Sequence, residues 1–360
     1  MTRGAAFAVS VALVPLCSLT LAGPAALAAE ASPTPGSGAP PSAEPEFTLT
    51  DERIQESSGM VASRRHEGVF WTHNDSGAYG PELYAVNEDG DTVATVSLTG
   101  AGVEARDWEA VAVGADDSGE PAVYVGDIGD NFQGGWPNVR VYRFTEPADL
   151  TDQTVEATTF TLSYADGGRD AEAMMVDPHD NRLYVISKEV SGGVYAAPET
   201  LDPEGVNTLT RVDSAPLYAT DASFAPDGSH FAIRTYWAAS VYDAADGVEG
   251  ARIVDRVSLP ESDQGESLAF APDGSALYAG TEGAGSPVWR VPVDTGTGGG
   301  GDGADGGAGS GDTGEPDGGG GGSAASEQGP DPRTASILIW TGVGIAAVVI
   351  AGIAVLARRS

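Results

Sequence analysis

Five acidic residues stand at the head of five similar phrases in this chain. They are Glu56-Ser-Ser-Gly-Met-Val, Glu109-Ala-Val-Ala-Val, Glu172-Ala-Met-Met-Val, Asp221-Ala-Ser-Phe-Ala and Glu266-Ser-Leu-Ala-Phe. In each copy the acid opens a short apolar run, a turn follows, and a second β-rich run ends in polar residues. The copies recur every 45 to 63 residues with no helical period between them, which is the sequence pattern of a β-propeller. A propeller gathers equivalent positions around one axis, so Glu56, Glu109, Glu172, Asp221 and Glu266 are expected to ring one channel mouth. Carboxylates packed that closely cannot all stay ionised unless protons or cations compensate them. Oxygen-only donors suit Ca²⁺, which takes roughly six to eight oxygens, and no His/Cys cluster directs the choice to zinc. The competing view places the same acids in separate solvated loops, each capping backbone amides.

A second group of polar residues lies at the ends of the second runs. His73 with Asp75, Asp127 with Asp130 and Asn131, Lys188 with Glu189, Arg234 and Glu282 are expected on the same side as the acids. Gly126-Asp-Ile-Gly-Asp-Asn is the most concentrated acidic loop and a second calcium candidate, although it lacks a partner glutamate at EF-hand spacing. Trp108 stands beside Glu109, where an indole could stack on a ligand or simply pack. Lys188 is the only lysine in a chain with 18 Lys and Arg in total. Its retention amid arginines suggests that a compact, titratable point charge is wanted there.

Strands must position these residues, and each copy divides into four of them at turn residues. Asn87-Glu-Asp-Gly, Pro178-His-Asp-Asn, Pro226-Asp-Gly-Ser and Pro272-Asp-Gly-Ser supply the turn chemistry. The second copy ends in one long expected strand, 154–164, and the last copy supplies only three. Phe47-Thr-Leu-Thr precedes Glu56 much as Val96-Ser-Leu-Thr precedes Glu109, so the N-terminal strand is expected to complete the last blade and close the ring. The expected fold is all-β: a β-propeller of five four-stranded blades over residues 47–294, with six blades as the alternative.

Asp107-Trp-Glu-Ala-Val-Ala, Gly126-Asp-Ile-Gly-Asp-Asn and Glu266-Ser-Leu-Ala-Phe-Ala-Pro-Asp-Gly together resemble repeats of exported bacterial β-propeller proteins of the WD40-like and phytase-like esterase group. The resemblance spans about residues 47–294. It implies a cation on the axis, as in the five-bladed calcium-dependent apyrases of that group, held at the positions of Glu56, Glu109, Glu172, Asp221 and Glu266. The Gly-His and Trp-Asp pairs of true WD40 repeats are absent. So is a basic phosphate cradle, since only scattered residues such as Arg64, Arg65, Arg106, Arg169 and Arg234 could supply one. A substrate class is therefore not implied.

The ends of the chain place the head. Residues 1–28 read as a secretory signal, with Arg3, an apolar stretch and Ala26-Leu27-Ala28. Residues 29–46 read as a Pro/Ser-rich linker and 295–334 as a disordered Gly/Asp-rich tether. Residues 335–357 carry no charge and are long enough to span a bilayer as a helix. Residues 358–360, with Arg358 and Arg359, form a cytoplasmic tail by the positive-inside rule. The sole cysteine, Cys17, falls in the signal. The expected protein is a single-pass membrane protein with its head outside the cell.

Residues 47–294 hold 43 Asp and Glu against 14 Lys and Arg, a balance that repels nucleic acid and favours cationic partners. The favoured function is a surface-displayed binding module for an extracellular ligand or protein, with Ca²⁺ in the ring. The alternative is a calcium-assisted hydrolase of ester or phosphoester substrates, with His73 or a ring glutamate as general base. No Gly-x-Ser-x-Gly elbow supports a serine triad.

Overall fold

The structure, a computed structural model, describes residues 45–295 apart from 76, 77 and 133. Among these residues every regular element is a β-strand. A two-residue strand, β1 (Phe47–Thr48), precedes four antiparallel strands, β2 (Ser57–Ala62), β3 (Val69–Asn74), β4 (Glu82–Asn87) and β5 (Thr92–Thr99). Next come β6 (Trp108–Ala115), β7 (Pro121–Asp127), β8 (Val139–Thr145), a short β9 (Gln153–Glu156) and β10 (Thr158–Tyr164). The third group is β11 (Ala171–Val176), β12 (Leu183–Ser187), β13 (Gly193–Ala196) and β14 (Val206–Ser214). The fourth is β15 (Ala219–Phe224), β16 (His230–Thr235), β17 (Ala238–Asp243) and β18 (Arg252–Ser258). The last is β19 (Leu268–Phe270), β20 (Ala276–Ala279) and β21 (Pro287–Pro292).

The first strands of the groups define the centre. β2 touches β6, β6 touches β11, β11 touches β15, β15 touches β19, and β19 returns to β2. This propeller-like ring follows from the sequence pattern. β11 (Ala-Glu-Ala-Met-Met-Val) is buried at every position, whereas β14 and β18 expose most of theirs. A strand packed on both faces needs a near-continuous apolar run, and an outer strand does not. Five cores fill the spaces between consecutive groups; Trp71, Val96, Val125 and Phe144 share one, and Met175, Ile186, Phe231 and Ile233 share another.

β1 pairs antiparallel with β21, Phe47 facing Val288. The Phe47 ring then lies 5.5 Å from Phe70 and 6.2 Å from Tyr278, joining the N-terminal strand to both the first group and the last. The outer edge differs from expectation. The long strand expected over 154–164 breaks at Ala157, whose amide donates to Thr99 O at 2.8 Å. Its first part, β9, runs parallel to β5, and its second, β10, pairs with both β8 and β14. Gly100, at φ 139°, permits this crossing, because a Cβ there would stand 2.6 Å from Ala157 O. The first three groups are thereby sewn together at their outer strands.

No helix among the described residues is long and apolar enough to cross a membrane. The expected signal, linker, tether, span and tail fall, apart from residues 45, 46 and 295, outside the described residues.

Candidate functional site

Four of the five inner strands, β2, β6, β11 and β15, carry a register shift where the polar head begins. Trp108 pairs with Asp127 and Ala110 with Gly126, so Glu109 is an extra residue in a β-bulge. Ala171 pairs with Ser187 and Ala173 with Ile186, which leaves Glu172 in the same position. A bulge re-aims a side chain that a regular pleat would bury between sheets. In the fourth group Ala219 pairs with Thr235 and Asp221 with Arg234, so the bulged residue is Thr220.

The turn hydrogen bonds give the same alignment. Asp177 N donates to Arg182 O, Ala225 N to His230 O, Ala271 N to Ala276 O and Ser63 N to Val69 O. Five residues before each of these amides stand Glu172, Thr220, Glu266 and Ser58. Equivalent positions around the ring are therefore Ser58, Glu109, Glu172, Thr220 and Glu266. Glu56 and Asp221, expected at those positions, are not the equivalents. A one-residue offset in a strand turns a side chain to the other face, and Asp221 shows the consequence. It is fully buried and accepts Ala222 N at 2.8 Å and Leu268 N at 2.6 Å, with Met60 N also donating to it. It ties β15 to β19 and β2. Glu56 is half-buried beside β2.

Glu109, Glu172 and Glu266 are buried and lie within one another's field. Burial, then the charge of Glu172, pushes Glu109 well above the ordinary carboxylate range. Burial, then Glu266, pushes Glu172 up to about 9 against the pull of Lys188. Glu266 rises to about 7, again chiefly through burial. Glu172 Oε2 and Glu266 Oε2 have no hydrogen-bond partner, although unpaired buried carboxylate oxygens cost free energy. Ser58 Oγ donates to Glu109 Oε2 at 2.9 Å.

Lys188 follows β12 and reaches into this mouth. Its Nζ donates to Glu172 Oε1 and stands 5.0 Å from the centre of the Tyr236 ring. The neighbouring carboxylates hold its pKa above the ordinary lysine value despite burial. Compact shape is the property used: an ammonium fits between a carboxylate and an aromatic face.

Asp75, after β3, and Asp107, before β6, join Glu109 in a tighter group. One carboxylate oxygen of each lies within 4.8 Å of the others. Gly129 makes the approach possible, because a Cβ there would stand 2.7 Å from Asp107 Oδ2 and 2.8 Å from Glu109 Oε1. Burial raises the pKa of Asp107. Three oxygen donors without sulfur or imidazole fit a hard cation of the Ca²⁺ kind.

The other residues expected to touch a ligand divide sharply. His73 is fully buried, its Nδ1 is 3.0 Å from Asn74 O, and burial holds its pKa down to about 4. Trp108 is buried edge-on to His73, with Nε1 donating to Glu104 O at 2.9 Å. Asp127 accepts Asp107 N and the Tyr142 hydroxyl at 2.9 Å each. Asp130 accepts Phe132 N at 3.0 Å and Trp136 N at 2.7 Å. Arg234 donates to Ser267 O at 2.5 Å and Gly280 O at 2.8 Å. His73, Asp127 and Arg234 sit inside the walls because the second strands β3, β7 and β16 are buried up to them, while Trp108 is buried on β6 and Asp130 in the loop after β7.

Asp75, Asn131, Lys188, Glu189 and Glu282 remain partly or fully open to solvent. Asn131 Nδ2 is 3.3 Å from Asp107 Oδ2. Glu189 is held by Arg169 at 3.0 Å, and Glu282 accepts Gln264 Nε2 at 2.6 Å. The loop 126–131 thus contributes space at Gly129 and a neighbour at Asn131, while Asp127 accepts a backbone amide and the Tyr142 hydroxyl and Asp130 accepts backbone amides.

Three exposed apolar residues after the ends of second strands were not among the expected site residues. Phe132, Val190 and Trp237, at 71%, 71% and 64% exposure, follow the ends of β7, β12 and β16. Their sequence signal is a large apolar residue within five positions of a second strand's end.

No family model matches the chain, and no curated protein matches it. Among solved structures, it is similar to the major Malassezia sympodialis allergen Mala s 1 at 12% identity and TM-score 0.46, covering 69% of this chain and 96% of that one. It is also similar to U3-55K at 9% identity and TM-score 0.36, covering 68% and 98%. Neither likeness brings a ligand or partner to this chain.

Proposed function

We propose that the chain is a binding module whose acidic mouth takes a cationic ligand, with Ca²⁺ the simplest occupant. One observation carries this reading: Glu109, Glu172 and Glu266 converge with Asp75 and Asp107, two of their buried oxygens lack partners, and Lys188 is the cation drawn in among them. Asp75, Asp107 and Glu109 are the ligands proposed for the ion, with Glu172 and Glu266 adding field. Phe132, Val190 and Trp237 are exposed and directly follow Asn131, Glu189 and Tyr236 in the chain, and apolar surface beside acidic charge suits a protein or peptide partner carrying a basic side chain. The strand groups are read as five blades closed by β1, and the five cores between them support that count. The head is proposed to stand outside the cell on a span over 335–357.

The hydrolase alternative loses one of its bases, since His73 is sealed in the wall. The test is thermal unfolding of the chelated full chain with and without Ca²⁺, beside a screen of ester and phosphoester hydrolysis. A calcium-dependent rise in Tm without turnover supports a binding module. An unmoved Tm refutes the cation site, and calcium-dependent turnover refutes the binding-module assignment.

A further inference from the structure

The inner strands have a second end, about four residues or ~13 Å beyond the acids, and the chemistry there is opposite. A cavity of about 560 Å³ opens among Val61, Val111, Met175, Phe224 and Phe270, one residue from each of the five inner strands. Its volume falls in the usual range of small-ligand sites, roughly 300–1,000 Å³. Pro121, Pro178, Pro226 and Pro272 form its collar, so the prolines that mark three of the repeat turns also shape this opening. No acidic side chain lines it, and Arg64 is its single charged residue.

Arg64, exposed at the opening, has no hydrogen-bond partner or ion pair among the described residues. The nearby carboxylate that could have held it is committed elsewhere. Glu146 accepts Ser63 Oγ, Arg65 N at 3.1 Å and Trp71 Nε1 at 2.7 Å. Ser63 is therefore occupied, and Ser223 Oγ accepts Phe270 N at 3.1 Å. A carboxylate would supply the fork-shaped acceptor that the Arg64 guanidinium lacks within the protein. One free guanidinium above apolar walls selects a monoanion with an apolar body; a phosphate dianion would need further donors.

We propose that this cavity binds a small organic carboxylate, its apolar part among Val61, Val111, Met175 and Phe270 and its carboxylate on Arg64. The site is separate from the acidic mouth and stands or falls independently of it.

Equilibrium dialysis of radiolabelled octanoate against the full chain tests this, with octylamine and octanol as probes of matched length. The expected result is saturable binding of one octanoate per chain. Arg64→Gln weakens octanoate about tenfold without changing octanol, as expected for loss of a charge-assisted bond, and Arg64→Lys restores most of the affinity. Val113→Trp fills the cavity from its half-buried wall position and removes both ligands. Absence of saturable octanoate binding overturns the proposal, as does equal retention by Val113→Trp. Octylamine binding as tightly as octanoate overturns the role of Arg64 even if Arg64→Gln fails to fold.

Discussion

Replacing Glu266 by Gln isolates the electrostatic strain at the acidic mouth. Glu266 titrates near 7 in the fold against 4.5 for an ordinary glutamate. Its folded pKa is raised, so the fold holds the proton more tightly than the unfolded chain does. The penalty is absent below pH 4.5, grows as the unfolded chain ionises, and levels off above pH 7. At about 1.4 kcal/mol per pH unit, it reaches roughly 1 kcal/mol at pH 5 and about 3 kcal/mol at pH 8. Glutamine removes the titration but leaves a polar atom where Oε2 has no partner, at a pH-independent cost of about 1 kcal/mol. Glu266→Gln should therefore be near neutral at pH 5 and stabilising by about 2 kcal/mol at pH 8. Urea unfolding followed by tryptophan fluorescence in EDTA measures both values. Equal effects at the two pH values, or a Gln variant that loses ground at pH 8, would refute the claim that charge at Glu266 opposes folding.

Lys188→Met removes the ammonium that opposes the rise of Glu172 to about 9, so Glu172 keeps its proton to still higher pH and the substitution should cost more at pH 10 than at pH 5; chemical denaturation at both pH values checks this. Asp221→Ala should destabilise by about 3 kcal/mol whether or not calcium is present, because the amides of Ala222, Leu268 and Met60 lose their acceptor. Gly129→Ala should abolish any calcium-dependent rise in Tm, since its Cβ would enter the space between Asp107 and Glu109.

The propeller-like architecture is readable in the sequence because its causes are local. Apolar runs such as Ala-Met-Met-Val in β11 demand burial on both faces, and Pro-Asp-Gly-Ser fixes the hairpins after β15 and β19. The pairing of β1 with β21 follows from the surplus strand at Phe47. The site is only partly readable, because a β-bulge adds one residue without leaving a composition signal. Counting six residues back from Pro178, Pro226 and Pro272 would have aligned Glu172, Thr220 and Glu266; following acids alone selected Asp221 instead. His73 and Trp108 carry the chemistry of a ligand site, yet nothing in their spacing shows that Gly59 lets the backbone of β6 close over the His73 ring. The parallel pairing of β9 with β5 joins residues more than fifty positions apart and has no local sign.

Calcium titration of the metal-stripped full chain by isothermal calorimetry, with Asp107→Asn and Glu109→Gln as comparisons, tests the proposed acidic-mouth site most directly. Saturable binding of one ion per chain, lost in both variants, is the predicted result. No binding by the parent chain, or binding unchanged by either substitution, would contradict it.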